Sequence, residues 1–299
     1  MSDDLNARAI ALYDAFTHEH HDRRTFMAQM VALAGSTAAA EVLIASIAAS
    51  PAAAQQVAAN DSRLDVAKAS GTEAGHPATA YFAAPKGGGK LPLVLVIHEN
   101  RGLNAHIEDV ARRVALAGFR VIAPDLLAPQ GGTPADEDKA RAMIGTIDYD
   151  VALAQAKAYL AKARGERKGL RTGVVGFCWG GAFVNRLAVA DPALTAGVSY
   201  YGPAPDPAEA AKVRAALMLQ LAGKDARVNA TALPWGEALR KAGKTATTHV
   251  YPGVDHAFNN DTSAMRYDAA AAKLAWDRTI AFLRHELDAK QVDVPPSFQ

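Results

Sequence analysis

The chain has 299 residues, about half of them apolar, which is enough for one large domain with a sizeable buried core. Its 32 basic and 31 acidic residues nearly cancel, so no general field favours nucleic acid or an anionic membrane, and a small molecule is the expected partner. The only cysteine, Cys178, excludes an internal disulfide and leaves its thiol as either buried filler or chemistry.

The first 54 residues differ in composition from the rest. Arg23 and Arg24 precede Phe26 and a moderately apolar, Ala-rich stretch ending in Ala52, Ala53 and Ala54. This arrangement resembles a twin-arginine export signal cut after Ala54. Such a signal implies handling by the export machinery and a periplasmic destination. An amphipathic N-terminal helix of a cytoplasmic protein is the alternative. Glu41 interrupts the apolar run, which falls short of the roughly 18 uncharged residues a spanning helix needs, so no stable membrane span is expected. His18, His20 and His21 could form a metal site by composition, but they belong to the segment the signal would discard, and no metal is assigned. Residues 55–78 read as a lead-in, 79–288 as one domain and 289–299 as a tail.

From residue 79 onward, short apolar strands alternate with longer helical patterns, the signature of βαβ units and a mostly parallel sheet with helices on both faces. "TAYFAAP" reads as an outer strand, and "LPLVLVIH" as a central strand covered on both faces. Asn104 can cap a helix through "AHIEDVARRVALAG", with Gly118 as its stop. "FRVIAP" is a strand, "DEDKARAMIG" and "YDVALAQAKAYLAKA" are helices, and "RTGVVGF" is the strand that runs into Cys178. "GGAFVNRLAVA" is a helix, "TAGVSYYG" and "AALMLQLAG" are strands, and "PWGEALRKAG" is a further helix. "THVYPG" is the last strand, and the chain closes with a long helix through "AMRYDAAAAKLAWDRTIAFLRHEL".

A nucleophile flanked as Gly-x-Nuc-x-Gly between a strand and a helix makes a strained turn that exposes the central side chain above the sheet. Gly176-Phe177-Cys178-Trp179-Gly180 fits that pattern and would put the thiol at a helix N-terminus, where the dipole favours negative charge. An orienting acid and a histidine should then follow in that order, each after a later strand. Asp225 in "KDARV" and His256 in "VDHAFNN" occupy those places. Asp255 adjoins His256 in sequence and would have difficulty orienting the same imidazole. At the end of the first central strand, "VIHENRG" puts Glu99 near the thiol. The backbone N–H groups of Trp179 and Asn100 are the expected oxyanion donors.

Together, "HENRGL", "GFCWGG", "VSYYG", "GKDARV" and "YPGVDHAFNND" resemble the dienelactone hydrolases, or carboxymethylenebutenolidases, of the α/β-hydrolase superfamily. The resemblance implies the α/β-hydrolase fold, with Cys178 as nucleophile, His256 as acid/base, Asp225 as its orienting partner and Glu99 interacting with the thiol. It implies hydrolysis of an enol lactone or activated ester, without metal or organic cofactor. Enzymes of the degradative pathway place an arginine soon after the histidine to hold the substrate carboxylate; this chain has Asn259 and Asn260 there. Arg266, if its loop folds back, and Arg101 are the alternative anion clamps, and Tyr201 and Asn260 are further candidate pocket residues. A thioesterase or broad esterase, and a non-catalytic exported binding protein of the same fold, are the rival functions.

Overall fold

The most apolar stretches of the chain form its innermost strands. A computed structural model describes residues 3–18, 22–48, 56–88 and 90–288. β1 (Leu64–Glu73) and β2 (His76–Pro85) form an antiparallel hairpin at one sheet edge. β3 (Leu93–Ile97), β4 (Arg120–Asp125), β5 (Thr172–Phe177), β6 (Ala196–Tyr200), β7 (Ala216–Ala222) and β8 (Ala246–Tyr251) run parallel. The order across the eight strands is β1-β2-β4-β3-β5-β6-β7-β8. Every residue of β3, β5, β6 and β7 is buried, as expected of strands covered on both faces.

Three helices precede the sheet: α1 (Asp3–His18), α2 (Arg23–Ala34) and α3 (Thr37–Ile47). Among the later helices, α4 (Ala105–Leu116) and α9 (Ala269–Leu287) pack on one face of the sheet. On the other lie α6 (Tyr149–Glu166), α7 (Trp179–Ala190) and α8 (Ala226–Lys241), with α5 (Glu137–Gly145) at its margin. The two apolar layers supply most of the buried area, the main favourable contribution to folding.

Three elements differ from the sequence expectation. β1 lies in the stretch read as a lead-in; only Leu64 of its ten residues is buried, so it lacks an apolar pattern. Its signature is instead the two-residue turn Ala74-Gly75, both with positive φ (50° and 81°), the geometry favoured between hairpin strands. α8 begins at Ala226, two turns before the expected start, and carries Pro234 in its interior. The third difference is at the N-terminus.

α1, α2 and α3 enclose their own apolar core, where Phe16 stacks on Phe26 with ring centroids 4.2 Å apart and Met30, Leu43 and Ile47 fill the remainder. Asp22 caps α2 by accepting from the Arg24 and Thr25 N–H groups, and Gly35 ends it in the left-handed region. Phe26 is thus a core residue, whereas Arg23 and Arg24 are exposed and Arg23 pairs with Asp138. Among the described residues no single helix is long and apolar enough to cross a membrane; α2 and α3 together have the length but are bent by 106°. The expected cut after Ala54, His20, His21, the side chain of His18 and the tail 289–299 lie outside the described residues.

Candidate active site

Cys178 sits between β5 and α7 with φ 55° and ψ −115°, a conformation rarely adopted by a residue with a side chain. The flanking glycines make it possible. A Cβ on Gly176 would lie 2.2 Å from the Gly180 carbonyl oxygen, and one on Gly180 would lie 2.5 Å from the His98 carbonyl oxygen. The start of α7 therefore nests directly against the ends of β3 and β5, and the thiol projects over the sheet.

Asp225 and His256 arrive from the ends of β7 and β8. One Asp225 carboxylate oxygen accepts from the Val228 N–H at 3.1 Å, capping α8, while the other lies 2.5 Å from His256 Nδ1. One side chain thus fixes the helix start and the imidazole together. His256 also hydrogen-bonds Cys178. Burial opposes the imidazolium, but Cys178 and Asp225 outweigh it and raise the His256 pKa to about 10. Burial would likewise raise the Asp225 carboxyl; the His256 hydrogen bond and charge prevail and hold it below the usual carboxylate range.

Glu99 follows β3, and the contact of its carboxylate in this structure is Asn260, whose Nδ2 donates to Oε2 at 2.7 Å. Asn260 is itself oriented, because its Oδ1 accepts from the Thr262 N–H and hydroxyl at 3.1 and 2.6 Å. His98 is buried beneath this loop. Its Nδ1 lies 2.7 Å from the Glu99 carbonyl oxygen and its Nε2 accepts from the Leu126 N–H at 3.2 Å, which fixes a neutral tautomer. Burial lowers its pKa, and its ring stacks on Trp179 at 5.4 Å. His98 therefore holds both the Glu99 backbone and the indole that follows the thiol. The adjacency of His98 and Glu99 at a strand end was the available signal for this positioning role.

The loop after His256 does fold back. Arg266 is buried and shares a small cavity of about 20 Å³ with Cys178, His256, Glu99, Asn100 and Arg101. Tyr201 is fully buried at the end of β6, its ring 5.0 Å from that of His256. Its hydroxyl has no hydrogen-bond partner among the described residues, and burial, with Glu99 and Cys178 nearby, raises its pKa well above the ordinary phenol value. The neighbouring Tyr200 instead turns into the core, its hydroxyl 2.6 Å from that of Thr279. Cys178 and Trp179 also border a larger cavity of about 650 Å³, whose lining includes Arg141, Arg186 and Arg227 and, from the N-terminal helix, Phe16 and Thr17.

α1 lies over this constellation, and no sequence signal pointed to its presence there. Tyr13 receives a hydrogen bond from Arg101 at 2.5 Å, Asp14 pairs with Arg266 at 3.1 Å, and the Thr17 carbonyl oxygen lies 3.5 Å from Asn100 Nδ2. Among the described residues no group of three or more His, Cys, Asp or Glu could hold a metal ion.

The strand order and the sharp strand-to-helix turn, with an acid and a histidine after later strands, define an α/β-hydrolase. Residues 78–287 match the dienelactone hydrolase family, and the chain belongs to that family of carboxylic ester hydrolases. A "Putative carboxymethylenebutenolidase" from Methylorubrum extorquens is 35% identical over 67% of this chain and 74% of its own. The crystal structure of a "Putative Dienelactone Hydrolase" from Klebsiella pneumoniae is 32% identical, with a TM-score of 0.66 over 73% of this chain and 97% of that one. A "Probable 2-oxo-3-(5-oxofuran-2-ylidene)propanoate lactonase" from Bradyrhizobium is 29% identical over 73% of this chain and 93% of its own.

Proposed function

We propose that the enzyme opens an enol lactone of the dienelactone type, or cleaves a related activated ester, with Cys178 as nucleophile. The observation that carries this reading is the relay from Asp225 through His256 to a thiol on the elbow. The names of the Methylorubrum and Bradyrhizobium relatives favour a lactone.

Cys178 Sγ, its proton already held by His256, attacks the lactone carbonyl carbon. The tetrahedral oxyanion accepts from the backbone N–H groups of Trp179 and Asn100. The ring C–O bond breaks, its electron pair leaves as an enolate tethered to the acyl group, and the enolate takes the proton to become a ketone. Water, giving a proton to His256, attacks the thioester and releases thiolate and the keto acid. A thiolate is itself a good leaving group, so this chemistry suits enolates and other stabilised leaving groups better than alkoxides. Glu99, aligned by Asn260 and lining the same small cavity as the thiol, is positioned to assist its activation when substrate arrives. Arg266, and Arg101 beside its ion-pair partner Glu137 at 3.3 Å, supply positive charge for a substrate carboxylate. The 650 Å³ cavity favours a second reading, a broad esterase or thioesterase accepting larger acyl groups at the same thiol.

Loss of dienelactone ultraviolet absorbance with the wild-type chain, and none with Cys178→Ala, is the expected result. Equal loss with both would remove Cys178 from the chemistry; loss with neither would discard dienelactone and leave activated esters and thioesters to assay. Export is proposed on the paired Arg23 and Arg24 before the apolar segment. A shortened protein in the periplasmic fraction, abolished by Arg23→Lys with Arg24→Lys, is the expected outcome; unchanged localisation would reject it.

A further inference from the structure

We infer that α1 is an internal occupant of the substrate site. The Asp14 carboxylate and Tyr13 hydroxyl take the place of a substrate's anionic end, restraining the intact chain until α1, α2 and α3 undock or are removed. The inference deepens the proposed function and rests on its assignment of Arg101 and Arg266 to anion binding.

The contacts fall on the residues that substrate would need. Tyr13 engages Arg101, Asp14 engages Arg266, and the Arg266 guanidinium lies 5.2 Å from the centre of the Tyr13 ring. The space left between α1 and the thiol, about 20 Å³, holds about one water molecule. A lactone carrying a carboxylate cannot enter there while α1 is seated. The larger cavity also borders Cys178, and an ester that does not need Arg101 and Arg266 retains that route.

Asp14 also shows the electrical character of the place it fills. Burial raises its carboxyl pKa, while His256 and Arg266 act to stabilise its charge. Burial outweighs them, so what makes Asp14 a competitor of an anionic ligand is its seat on the Arg266 guanidinium, 3.1 Å away.

The attachment is reversible in kind. Ile10, Phe16, Phe26 and Met30 bury themselves mainly among α1, α2 and α3, so undocking would uncover this core only where Met265 and Arg141 of the hydrolase domain meet it. Their hold on the hydrolase domain includes polar contacts: Arg101 and Arg266 on α1, the Met265 N–H on the Ser46 carbonyl at 3.1 Å, and the Ser263 hydroxyl on the Ile47 carbonyl at 2.5 Å. Such contacts can be exchanged for water at modest net cost. The same segment carries the arginine pair read as an export signal, so a cut after Ala54 would remove the occupant together with the signal.

The test compares the full chain with full-length Asp14→Ala and Tyr13→Phe. Two p-nitrophenyl esters, one neutral (acetate) and one anionic (the hemisuccinate), are assayed together. Removing Asp14 should raise kcat/KM for the anionic ester about tenfold while the neutral ester changes less than about twofold, with Tyr13→Phe giving a smaller rise in the same sense. Succinate binding by calorimetry is the second readout and needs no turnover; it should tighten about tenfold in Asp14→Ala. Unchanged or weaker succinate binding, or a fall in anionic turnover with the melting temperature preserved, would overturn the inference and make α1 a working wall of the pocket. If no chain hydrolyses either ester, the catalytic reading fails, while succinate binding still decides the role of α1.

Discussion

Replacing Asp225 by Asn separates the two tasks of that side chain. Asparagine caps helices about as well as aspartate, so the acceptor for the Val228 N–H survives and the α8 contribution should change by only a few tenths of a kcal/mol. The His256 contact does not survive in kind. At 2.5 Å from Nδ1, an amide either loses the charge that supports the imidazolium or presents its NH₂ group and favours the wrong tautomer. The loss in kcat for an activated ester should be on the order of 10³ to 10⁴. The pH profile should move as well. In the wild type, Cys178 and Asp225 overcome burial to raise His256 to about 10, so the limb that reports loss of its proton belongs near that pH; without Asp225 it should shift to lower pH. Stability follows the same signs. The raised His256 pKa stabilises the fold fully below its unfolded value of about 6.5, and this is lost as pH rises through about 10. The depressed Asp225 pKa stabilises the fold above about 3.9 and is lost as pH falls through its folded value. Denaturant unfolding should therefore show the widest gap between wild type and Asp225→Asn from about pH 4 to 6.5, closing towards pH 10. A kcat reduced less than tenfold, with an unmoved alkaline limb, would refute this account of the relay.

Asn260→Ala removes the amide that holds Glu99 and should lower kcat about tenfold at nearly constant KM for the neutral ester, whereas Asn260→Asp should be worse because it sets two carboxylates together. Steady-state kinetics with both variants checks this. Gly180→Ala puts a methyl group 2.5 Å from one carbonyl oxygen and 2.6 Å from another, and neither belongs to a flexible side-chain end. It should destabilise the fold by about 2–4 kcal/mol, measured by urea unfolding.

The parts of the fold legible in sequence were those written in consecutive residues. Continuous apolar runs marked β3 and β5, and Gly176 and Gly180 marked the turn that places Cys178. Asp225 and His256 were legible because a parallel sheet delivers every strand end to the same edge, so chain order sufficed to bring them together with Cys178. β1 was not legible: its residues are exposed, and the sheet edge rather than an apolar pattern supports it. Pro234 suggested a helix start although α8 continues through it. The pairing of Glu99 with Asn260 spans 161 positions, and that of Asp14 with Arg266 spans 252. Neither has a local pattern. Composition alone also concealed that Phe26 and Met30 are packed as a core.

The backbone at Cys178 has a consequence for how this protein can vary. Its positive φ is tolerated without penalty only by glycine, and a side chain there costs of order 1–3 kcal/mol. Cys178→Gly would relieve that strain, so on the proposed role of the thiol a chemically inert version of the chain can outlast the active one on heating. Drift that favours robustness alone leads away from the thiol, and a screen for heat-resistant variants of this enzyme needs turnover as a parallel criterion at every round.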